Sequence, residues 1–260
     1  MSLRVESLRV SFGGRTVVDD VSFEVADGQR MGLIGESGSG KSLTAFAVMG
    51  LLPDGADVTG SIEWDGRELV GLTDREHARL RGREIAMVFQ EPQTALNPIR
   101  TAGAQIAEAA RLHRGLSRAD ARALAVSLAD RVRLPDPERI VSRYPHELSG
   151  GQRQRVAIAA ALAGGPRLLI ADEPTTALDV TIQAEVLELL LSLVEEEGMS
   201  LLFITHDLAV LAQTAQRALV LEGGRAVESG TIDDLLSHPA HPVTQGLLRD
   251  ARATLWRGDA

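Results

Sequence analysis

The sequence has no cysteine and contains a single lysine among its 27 basic residues. Without cysteine it forms neither a disulfide framework nor a thiolate metal site, and a reducing cytoplasm is compatible with it. Acidic residues number 36, which gives a formal net charge of -9. General binders of the phosphate backbone usually carry a basic surface, so the composition argues against nucleic acid as a partner.

Long hydrophobic runs are also missing. Apolar segments such as 45–52 and 186–194 are shorter than the ~18 residues that cross a bilayer. Arg4, Glu6 and Arg9 stand where a signal peptide needs an apolar core, so secretion is not expected. With 44% hydrophobic residues, 260 residues can fill one large domain or a domain with an inserted subdomain. Any role at a membrane would depend on docking to other proteins.

Short apolar segments alternate with helical patterns and predict an α/β core. Residues 3–10 and 17–25 are predicted strands, and the Gly13-Gly14 turn between them predicts an antiparallel pair. Further apolar segments typical of strands buried in a parallel sheet lie at 30–34, 85–89, 168–171 and 201–205.

Between residues 91 and 163 an Ala- and Arg-rich pattern predicts a helical insertion between sheet strands. Ser117 with Asp120 resembles a capping box, and apolar residues follow it at helical spacing. A second amphipathic helix is predicted over 180–196, with Gly198 as its stop.

Residues 35–42 match the phosphate-binding pattern G-x-x-x-x-G-K-[ST] in full, between a predicted strand and a predicted helix at 42–52. The glycines let backbone amides face a β-phosphate, and the helix N-terminus adds positive potential. Lys41, the one lysine, can bridge β and γ oxygens, and Ser42 can ligate Mg²⁺. A plain glycine-rich turn is the alternative, which the flanking elements and the lone lysine disfavour. The predicted nucleotide-binding residues here are Gly35, Glu36, Ser37, Gly38, Ser39, Gly40, Lys41, Ser42 and Leu43.

Two further segments suit an NTPase. An apolar strand ends in Asp172 and Glu173, which can hold the water shell of Mg²⁺ and polarise the attacking water. Acids also end buried strands as plain solvated ends, so this prediction depends on the phosphate loop. Leu148–Gln152 precedes another helix, and its small residues and free amides can bind an anion. An ordinary helix cap by Ser149 is the alternative.

Together these motifs resemble, in order, the set found in ABC transporter ATPases, over about residues 1–230. The resemblance implies an α/β fold: a P-loop NTPase (RecA-like) core with an N-terminal antiparallel β-subdomain and an inserted α-helical subdomain. The implied boundaries are 1–89 with 164–230 for the core, 90–163 for the helical subdomain, and 231–260 for a short C-terminal tail. The motifs are the loop at 35–42, Gln90, Leu148–Gln152, Leu168–Glu173, Ala177-Leu178-Asp179 and His206.

The resemblance also implies roles for single residues. Gln90 would sense Mg²⁺ and the attacking water, so that Ser42, Gln90 and Asp172 form the metal set. His206 would contact the γ-phosphate and position Glu173, the catalytic carboxylate that acts with Lys41. Taken alone, Gln90 and His206 are more often polar residues at strand ends.

Two predicted contacts concern the base and the opposing subunit. Phe12 would stack on adenine in place of the more usual tyrosine, the alternative being a core aromatic. The signature residues Ser149, Gly150, Gly151 and Gln152 would meet a nucleotide held by a second ATPase subunit, and Asp179 would cross that interface. One chain alone would then lack a complete site. Because Glu173 and His206 are both present, we expect this chain to contribute to hydrolysis.

Within the family, residues 89–98 and 171–183 resemble the dipeptide, oligopeptide and nickel importer group, and His241-Pro242-Val243-Thr244 resembles its C-terminal His-Pro-Tyr-Thr element. The cysteine-rich segment of many peptide importers is missing, which keeps a nickel importer or a piece of a longer chain open. A carbon-phosphorus lyase accessory ATPase is another alternative. A soluble ABC protein of translation or DNA repair would carry two cassettes or long insertions, and a P-loop kinase would not need Leu148–Gln152.

The resemblance therefore implies an ATPase that uses ATP and Mg²⁺ to power an importer of di- or oligopeptides from the cytoplasmic face of the membrane. Its implied partners are a second ATPase subunit, membrane permease subunits and, indirectly, an extracytoplasmic solute-binding protein. The permease is expected to dock near residues 90–100.

Overall fold

The computed structural model describes residues 2–90, 96–176 and 178–255. Their contacts separate the chain into two compact units, the first within Met1–His77 and Ser200–Ala260 and the second within Ala78–Met199. The predicted helical segment 90–163 falls inside the second unit, which also contains strands. The predicted domain boundaries stay a prediction.

The elements of the described residues follow the alternation expected from sequence. The strands are β1 (Leu3–Phe12), β2 (Arg15–Val25), β3 (Arg30–Ile34), β4 (Ala56–Trp64), β5 (Arg67–Glu68), β6 (Ile85–Val88), β7 (Leu168–Asp172), β8 (Ser200–Thr205), β9 (Arg217–Glu222) and β10 (Arg225–Thr231). The α-helices are α1 (Lys41–Met49), α2 (Asp74–Leu80), α3 (Ala102–Arg114), α4 (Arg118–Arg131), α5 (Pro137–Ile140), α6 (Gly150–Leu162), α7 (Val180–Glu196), α8 (Leu208–Thr214), α9 (Ile232–Ser237) and α10 (Pro242–Leu255).

The first unit begins with an antiparallel sheet of order β2-β1-β4-β5. Gly13 and Gly14 have φ angles of +53° and +82°, the left-handed conformation that tight hairpin turns require, and Phe12 pairs with Arg15 across the turn. The predicted antiparallel start is confirmed. Alternate residues of β1 are buried, which gives this sheet one core face.

The predicted site residues follow the carboxyl ends of parallel strands. In the first unit β3 lies between β8 and β9, and Ile34 is in register with Thr205 of β8. In the second unit β6 and β7 are parallel, with Val88 opposite Ala171. All four residues of β6 and all five of β7 are buried, as their unbroken apolar character predicts.

In the second unit the predicted helical insertion contains α3, α4 and α6, which pack on one another. Ser117 accepts a hydrogen bond from the Asp120 amide at 3.2 Å, so the predicted helix start is confirmed. Helix α7 has the predicted bounds, and Gly198 follows it in the left-handed conformation. No helix within the described ranges is both long and apolar enough to cross a membrane.

Small differences from the predicted elements have local causes. The helix predicted to run to residue 52 ends at Met49, because Gly50 takes a left-handed conformation and its amide bonds back to the last turn. The tail predicted after residue 231 contains two helices, α9 and α10. Residues 91–95, which belong to the segment 90–100 where permease docking was expected, lie outside the described residues.

The His-Pro-Val-Thr element anchors the start of α10 to β10 through Glu228. This carboxylate accepts hydrogen bonds from the amides of Ala240 (2.8 Å) and His241 (2.9 Å) and from the hydroxyl of Thr244. Thr244 is fully buried. Burial opposes ionisation of Glu228, but the hydrogen bonds from Thr244, Ala240 and His241 outweigh it and lower the pKa of the carboxyl. The motif therefore has a structural role here.

We expect Thr244→Val to lower the free energy of unfolding at pH 7 by about 1 kcal/mol, the usual net value of one hydrogen bond. A carboxyl whose folded pKa is depressed stabilises the protein above its unfolded pKa, and that stabilisation disappears as the pH falls through the folded pKa. The difference between Thr244→Val and the wild type should therefore shrink once the pH drops below the ordinary glutamate pKa. Urea unfolding from pH 7 downward measures it. A difference independent of pH, or unchanged in a Glu228→Gln background, would contradict the assignment.

Candidate active site

The loop after β3 has the backbone of a phosphate cradle. Gly38 and Gly40 have φ angles of +80° and +97°, which side chains rarely adopt. A Cβ at Gly35 would collide with the Leu221 carbonyl, and a Cβ at Gly40 would come within 3.2 Å of the Val17 carbonyl. The glycines of the motif are thus needed both for conformation and for close backbone packing.

Lys41 is buried within this loop, with only 4% of its surface exposed. Its Nζ donates hydrogen bonds to the carbonyls of Gly35 (2.7 Å) and Glu36 (2.8 Å). Lys41 is also the first residue of α1, so a fixed cation and a helix N-terminus coincide. Such a place attracts phosphate oxygens.

Ser39 provides a second sign that the loop fits an anion. Its hydroxyl oxygen is buried and makes no hydrogen bond with any described residue. Buried polar groups normally have a partner, and a bound phosphate group or its water shell would supply one. Glu36, Ser37 and Gly38 are exposed, whereas Ser42 and Leu43 are half-buried at the start of α1.

His206 and Phe12 belong to the same unit. Since Ile34 and Thr205 are in register, the phosphate loop and His206 both follow the carboxyl ends of adjacent parallel strands. His206 is exposed. Phe12 lies half-buried at the end of β1, opposite Arg15 and Ala56, and is not one of the buried core side chains. Its predicted role against adenine stays a prediction.

In the second unit the structure joins two residues predicted as catalytic. Gln90 and Glu173 each lie two residues beyond the paired Val88 and Ala171. Gln90 Nε2 donates to Glu173 Oε2 at 3.2 Å. Thr176 Oγ1 donates to the same oxygen at 3.0 Å. The carboxylate is therefore oriented by two side chains, as a water-polarising group requires.

Glu173 also has a left-handed backbone, with φ of +44°. A non-glycine residue in this conformation is strained by roughly 1–3 kcal/mol, and such residues cluster at functional sites. Asp172, immediately before it, ends β7 and is only 3% exposed. The turn thus leaves Asp172 buried at the strand end and places Glu173 within reach of Gln90 and Thr176.

The second predicted anion site begins α6. Ser149 and Gln152 form a reciprocal capping box, since Ser149 Oγ accepts from the Gln152 amide at 3.2 Å and Gln152 Oε1 accepts from the Ser149 amide at 3.0 Å. The capping alternative is thus present in the structure, and it leaves Ser149 exposed and Gly150, Gly151 and Gln152 half-buried. A cap and a phosphate contact are compatible at one helix end.

The start of α6 packs closely against the start of α7. A Cβ on Gly151 would come within 2.9 Å of the Ile182 side chain, so only glycine fits without movement. Asp179 caps α7 by accepting from the Ile182 amide at 3.0 Å. The next residue, Val180, is 84% exposed. Asp179 therefore has a local role, while its predicted place at a subunit interface remains a prediction.

Two supporting residues were not predicted. Besides Thr176, the buried Arg155 of α6 donates to the Val132 carbonyl at 3.0 Å and to Glu185 of α7 at 3.0 Å, which ties the signature helix to its neighbours. Thr176 could have been suspected from its place three residues after Glu173. Arg155 could not, because its partners lie 23 and 30 residues away along the chain.

The donor chemistry fits Mg²⁺ bound together with a phosphate ligand. Within the described residues no group of three or more His, Cys, Asp or Glu side chains is placed to hold a metal. Magnesium in nucleotide sites needs only one or two carboxylates, because substrate phosphates and waters complete its shell. In the second unit Asp172 offers a carboxylate and Gln90 an amide oxygen, and in the first unit Ser42 offers a hydroxyl. Each is a donor of a kind that Mg²⁺ accepts, and their joint role as metal ligands stays a prediction.

Comparison with known proteins agrees with these features. Residues 18–176 match the ABC transporter family. A protein of Brucella abortus (strain 2308), named as a peptide import ATP-binding protein, is 49% identical over 251 residues, covering 95% of this chain and 76% of its own length. A peptide ABC transporter ATP-binding protein of Sinorhizobium fredii is 48% identical over 245 residues, covering 94% of this chain and 71% of its own length.

Solved structures show the same architecture. A dimeric ATP-binding cassette bound to ADP and Pi superimposes with a TM-score of 0.78 at 29% identity, covering 88% of this chain and 98% of the other. The Clostridium perfringens protein cbiO1, part of an ABC transporter complex, has a TM-score of 0.78 at 25% identity, covering 98% and 96%.

Proposed function

Because this chain belongs to the ABC transporter family of ATP-binding proteins, with a P-loop NTPase fold, we propose that it hydrolyses ATP to power the import of peptides. The observation that carries hydrolysis is the oriented Glu173, held by Gln90 and Thr176, in a chain that also has a complete phosphate loop. The peptide assignment is supported by relatives of nearly 50% identity that are named for peptide import.

Each group has a distinct task in this proposal. Lys41 and the amides of residues 35–42 hold the phosphates, and Phe12 stacks on the base. Glu173 polarises the attacking water in an orientation set by Gln90 and Thr176. His206 contacts the γ-phosphate. Ser42, Asp172 and Gln90 would hold Mg²⁺, which when bound neutralises phosphate charge.

We further propose that hydrolysis requires a second ATPase subunit. Ser149 and Gly151 lie at the N-terminus of α6. The positive electrostatic potential of this helix end suits a γ-phosphate that is bound by the second subunit. The dimeric form of a solved relative with ADP and Pi supports this arrangement. The ATPase chains that co-assemble with this one would show whether the two subunits are identical.

The membrane partners in this proposal are permease subunits at the cytoplasmic face, served by an extracytoplasmic solute-binding protein. Docking is assigned to the segment 90–100, where Ile99 is 82% exposed.

The test is purification of the tagged chain from membranes of its own organism, followed by reconstitution with the permeases that accompany it. We expect ATP hydrolysis to rise when the binding protein is loaded with di- or oligopeptides. Stimulation by Ni²⁺ instead of peptides would reassign the cargo. Stable assembly with soluble lyase components and no permease would overturn the transport function.

A further inference from the structure

Three segments of the first unit meet beside the phosphate loop through their backbones. The amide of Gly224, in the turn between β9 and β10, donates to the Ser39 carbonyl at 3.2 Å. The Gly224 carbonyl in turn accepts from the amide of Asp19 in β2 at 2.7 Å. A Cβ on Gly224 would come within 2.4 Å of the Val17 carbonyl, so the contact needs glycine. The β9–β10 turn therefore joins the phosphate loop directly to β2.

A cluster of three charged side chains joins the same segments. Arg225, the first residue of β10, donates from Nε (2.8 Å) and from Nη2 to one carboxylate oxygen of Asp19. The other oxygen of Asp19 lies 2.8 Å from Nη2 of Arg9 in β1. One carboxylate of β2 is thus shared by arginines from two other strands. We call Arg9, Asp19 and Arg225 the hairpin clamp.

The carboxylate of the hairpin clamp is sheltered from solvent. Asp19 has only 15% of its side chain exposed, whereas Arg9 and Arg225 have 53% and 71% exposed. Ion pairs between fully exposed groups contribute little, because water and salt screen them. A sheltered carboxylate that meets two guanidinium groups is held more firmly, since its hydrogen bonds are charge-assisted and less screened.

A bulge in β2 places Asp19 at this junction. Where β1 advances by two residues, from Leu8 to Val10, the paired strand β2 advances by three. Bulges re-aim side chains and are frequent next to active sites. Asp20, the neighbour of Asp19, has φ of +57°, a left-handed conformation that is strained for a residue with a side chain. The chain therefore adopts a strained backbone at the point where the clamp forms.

Strand β1 connects the hairpin clamp to the end of the site that is proposed to bind the base. Arg9 lies three residues before Phe12 in this strand. The pairing of β1 with β2 continues up to Phe12, which lies opposite Arg15. On its other side the clamp adjoins Gly224, whose amide is bonded to the phosphate loop. The clamp thus lies between the two elements assigned to the base and to the phosphates.

We propose that Asp19 and Arg225 are positioning residues that hold the Phe12 end of β1 at a fixed distance from the phosphate loop. They act through the segments that they join. A ligand that spans two elements binds more tightly when their separation is set in advance, because less ordering is lost on binding. This inference rests on the proposed function and deepens it, since it assigns part of the affinity for ATP to residues outside the nucleotide site.

The test compares two ligands that differ in the adenosine group. MgATP would contact both the loop and Phe12, whereas magnesium tripolyphosphate carries phosphates without a base. Calorimetry with the full chain measures the Kd of each ligand for the wild type, Asp19→Asn and Arg225→Gln. The control is Arg4→Gln, which removes an exposed arginine of the same sheet that lies 3.9 Å from Glu6.

We expect Asp19→Asn and Arg225→Gln to weaken MgATP binding by about fivefold or more and to leave tripolyphosphate binding within about twofold of the wild type. Arg225→Lys keeps the charge but lacks the guanidinium fork, so it should restore part of the affinity. The Arg4→Gln control should bind both ligands as the wild type does. Wild-type MgATP binding by both clamp variants, or an equal loss for the two ligands, would overturn the proposal.

A double-mutant cycle tests the same proposal with ATP alone. Phe12→Ala removes the ring, so adding Arg225→Gln to it should weaken MgATP binding by less than about twofold further. If Phe12→Ala weakens binding and the full Arg225→Gln penalty persists, the clamp does not act through Phe12 and only this proposal fails. Wild-type MgATP binding by Phe12→Ala would instead refute the proposed stacking, and the positioning role with it.

Turnover by the reconstituted transporter separates positioning from catalysis. The KM for ATP should rise in Asp19→Asn and Arg225→Gln, while kcat at saturating ATP stays within about twofold of the wild type. The physical reason is that Glu173 and the side chains that orient it belong to the second unit. A lower kcat with an unchanged KM would contradict the positioning role.

Discussion

Replacing Lys41 by alanine is expected to abolish tight MgATP binding. The change removes a buried ammonium that the loop fixes through the Gly35 and Glu36 carbonyls. A charge paired with phosphate oxygens in a water-poor site contributes several kcal/mol, so affinity should fall by at least ~100-fold. Isothermal titration calorimetry with MgATP measures the loss.

The control for Lys41→Ala is Arg67→Ala, which removes an exposed cation from the same unit. Its affinity for MgATP should match the wild type. Thermal unfolding without nucleotide checks that the Lys41 variant is folded, because its carbonyl hydrogen bonds are lost too. Binding within about threefold of wild type, in a folded Lys41→Ala protein, would remove the assigned loop from nucleotide recognition.

Glu173→Gln should leave MgATP binding intact and slow hydrolysis by roughly 10²-fold or more, the usual contribution of a general base. Glutamine keeps the size of the side chain and an oxygen for Gln90 and Thr176, but it loses the negative charge that polarises water. If the site needs two subunits, the slow variant should accumulate an ATP-dependent dimer. Phosphate release and gel filtration with MgATP measure the two effects.

Two further variants distinguish the effect of the Glu173 charge from the effects of its orientation and of dimer formation. Thr176→Val keeps the Glu173 charge and removes one of its orienting hydrogen bonds, so a smaller loss of turnover is expected with no stable dimer. Ser149→Arg should prevent dimer formation by placing bulk at the start of α6. Wild-type turnover by Glu173→Gln would exclude it as the catalytic carboxylate. Hydrolysis by a strictly monomeric chain would contradict the two-subunit requirement.

Features that depend on contiguous residues were predictable. The glycine pattern of residues 35–42, the antiparallel start around Gly13 and Gly14, the cap at Ser117 and the bounds of α7 agree with the structure. Each results from a backbone preference or a hydrogen bond between residues a few positions apart, which the order of residue types encodes directly.

Features that depend on residues far apart in the chain were not predictable. No local pattern indicates that Gln90 donates to Glu173, 83 residues away, or that Arg155 joins Val132 to Glu185. The strand register of β6 and β7 decides the first contact, and helix packing decides the second. The predicted roles of Phe12, Asp179 and the signature residues concern a nucleotide and a second subunit, and they remain predictions.

Residue types at neighbouring positions were enough to identify the family, the α/β class and an ATPase, because phosphate binding requires particular residues at adjacent positions. Only the packing of strands and helices sets how the Glu173 carboxylate is held, with Gln90 and Thr176 on one oxygen and a strained φ of +44°. The same packing brings Asp19 of β2 to Arg225 of β10, 206 residues away along the chain. Both depend on distances between residues far apart in the chain, and those distances are set only when the strands and helices pack.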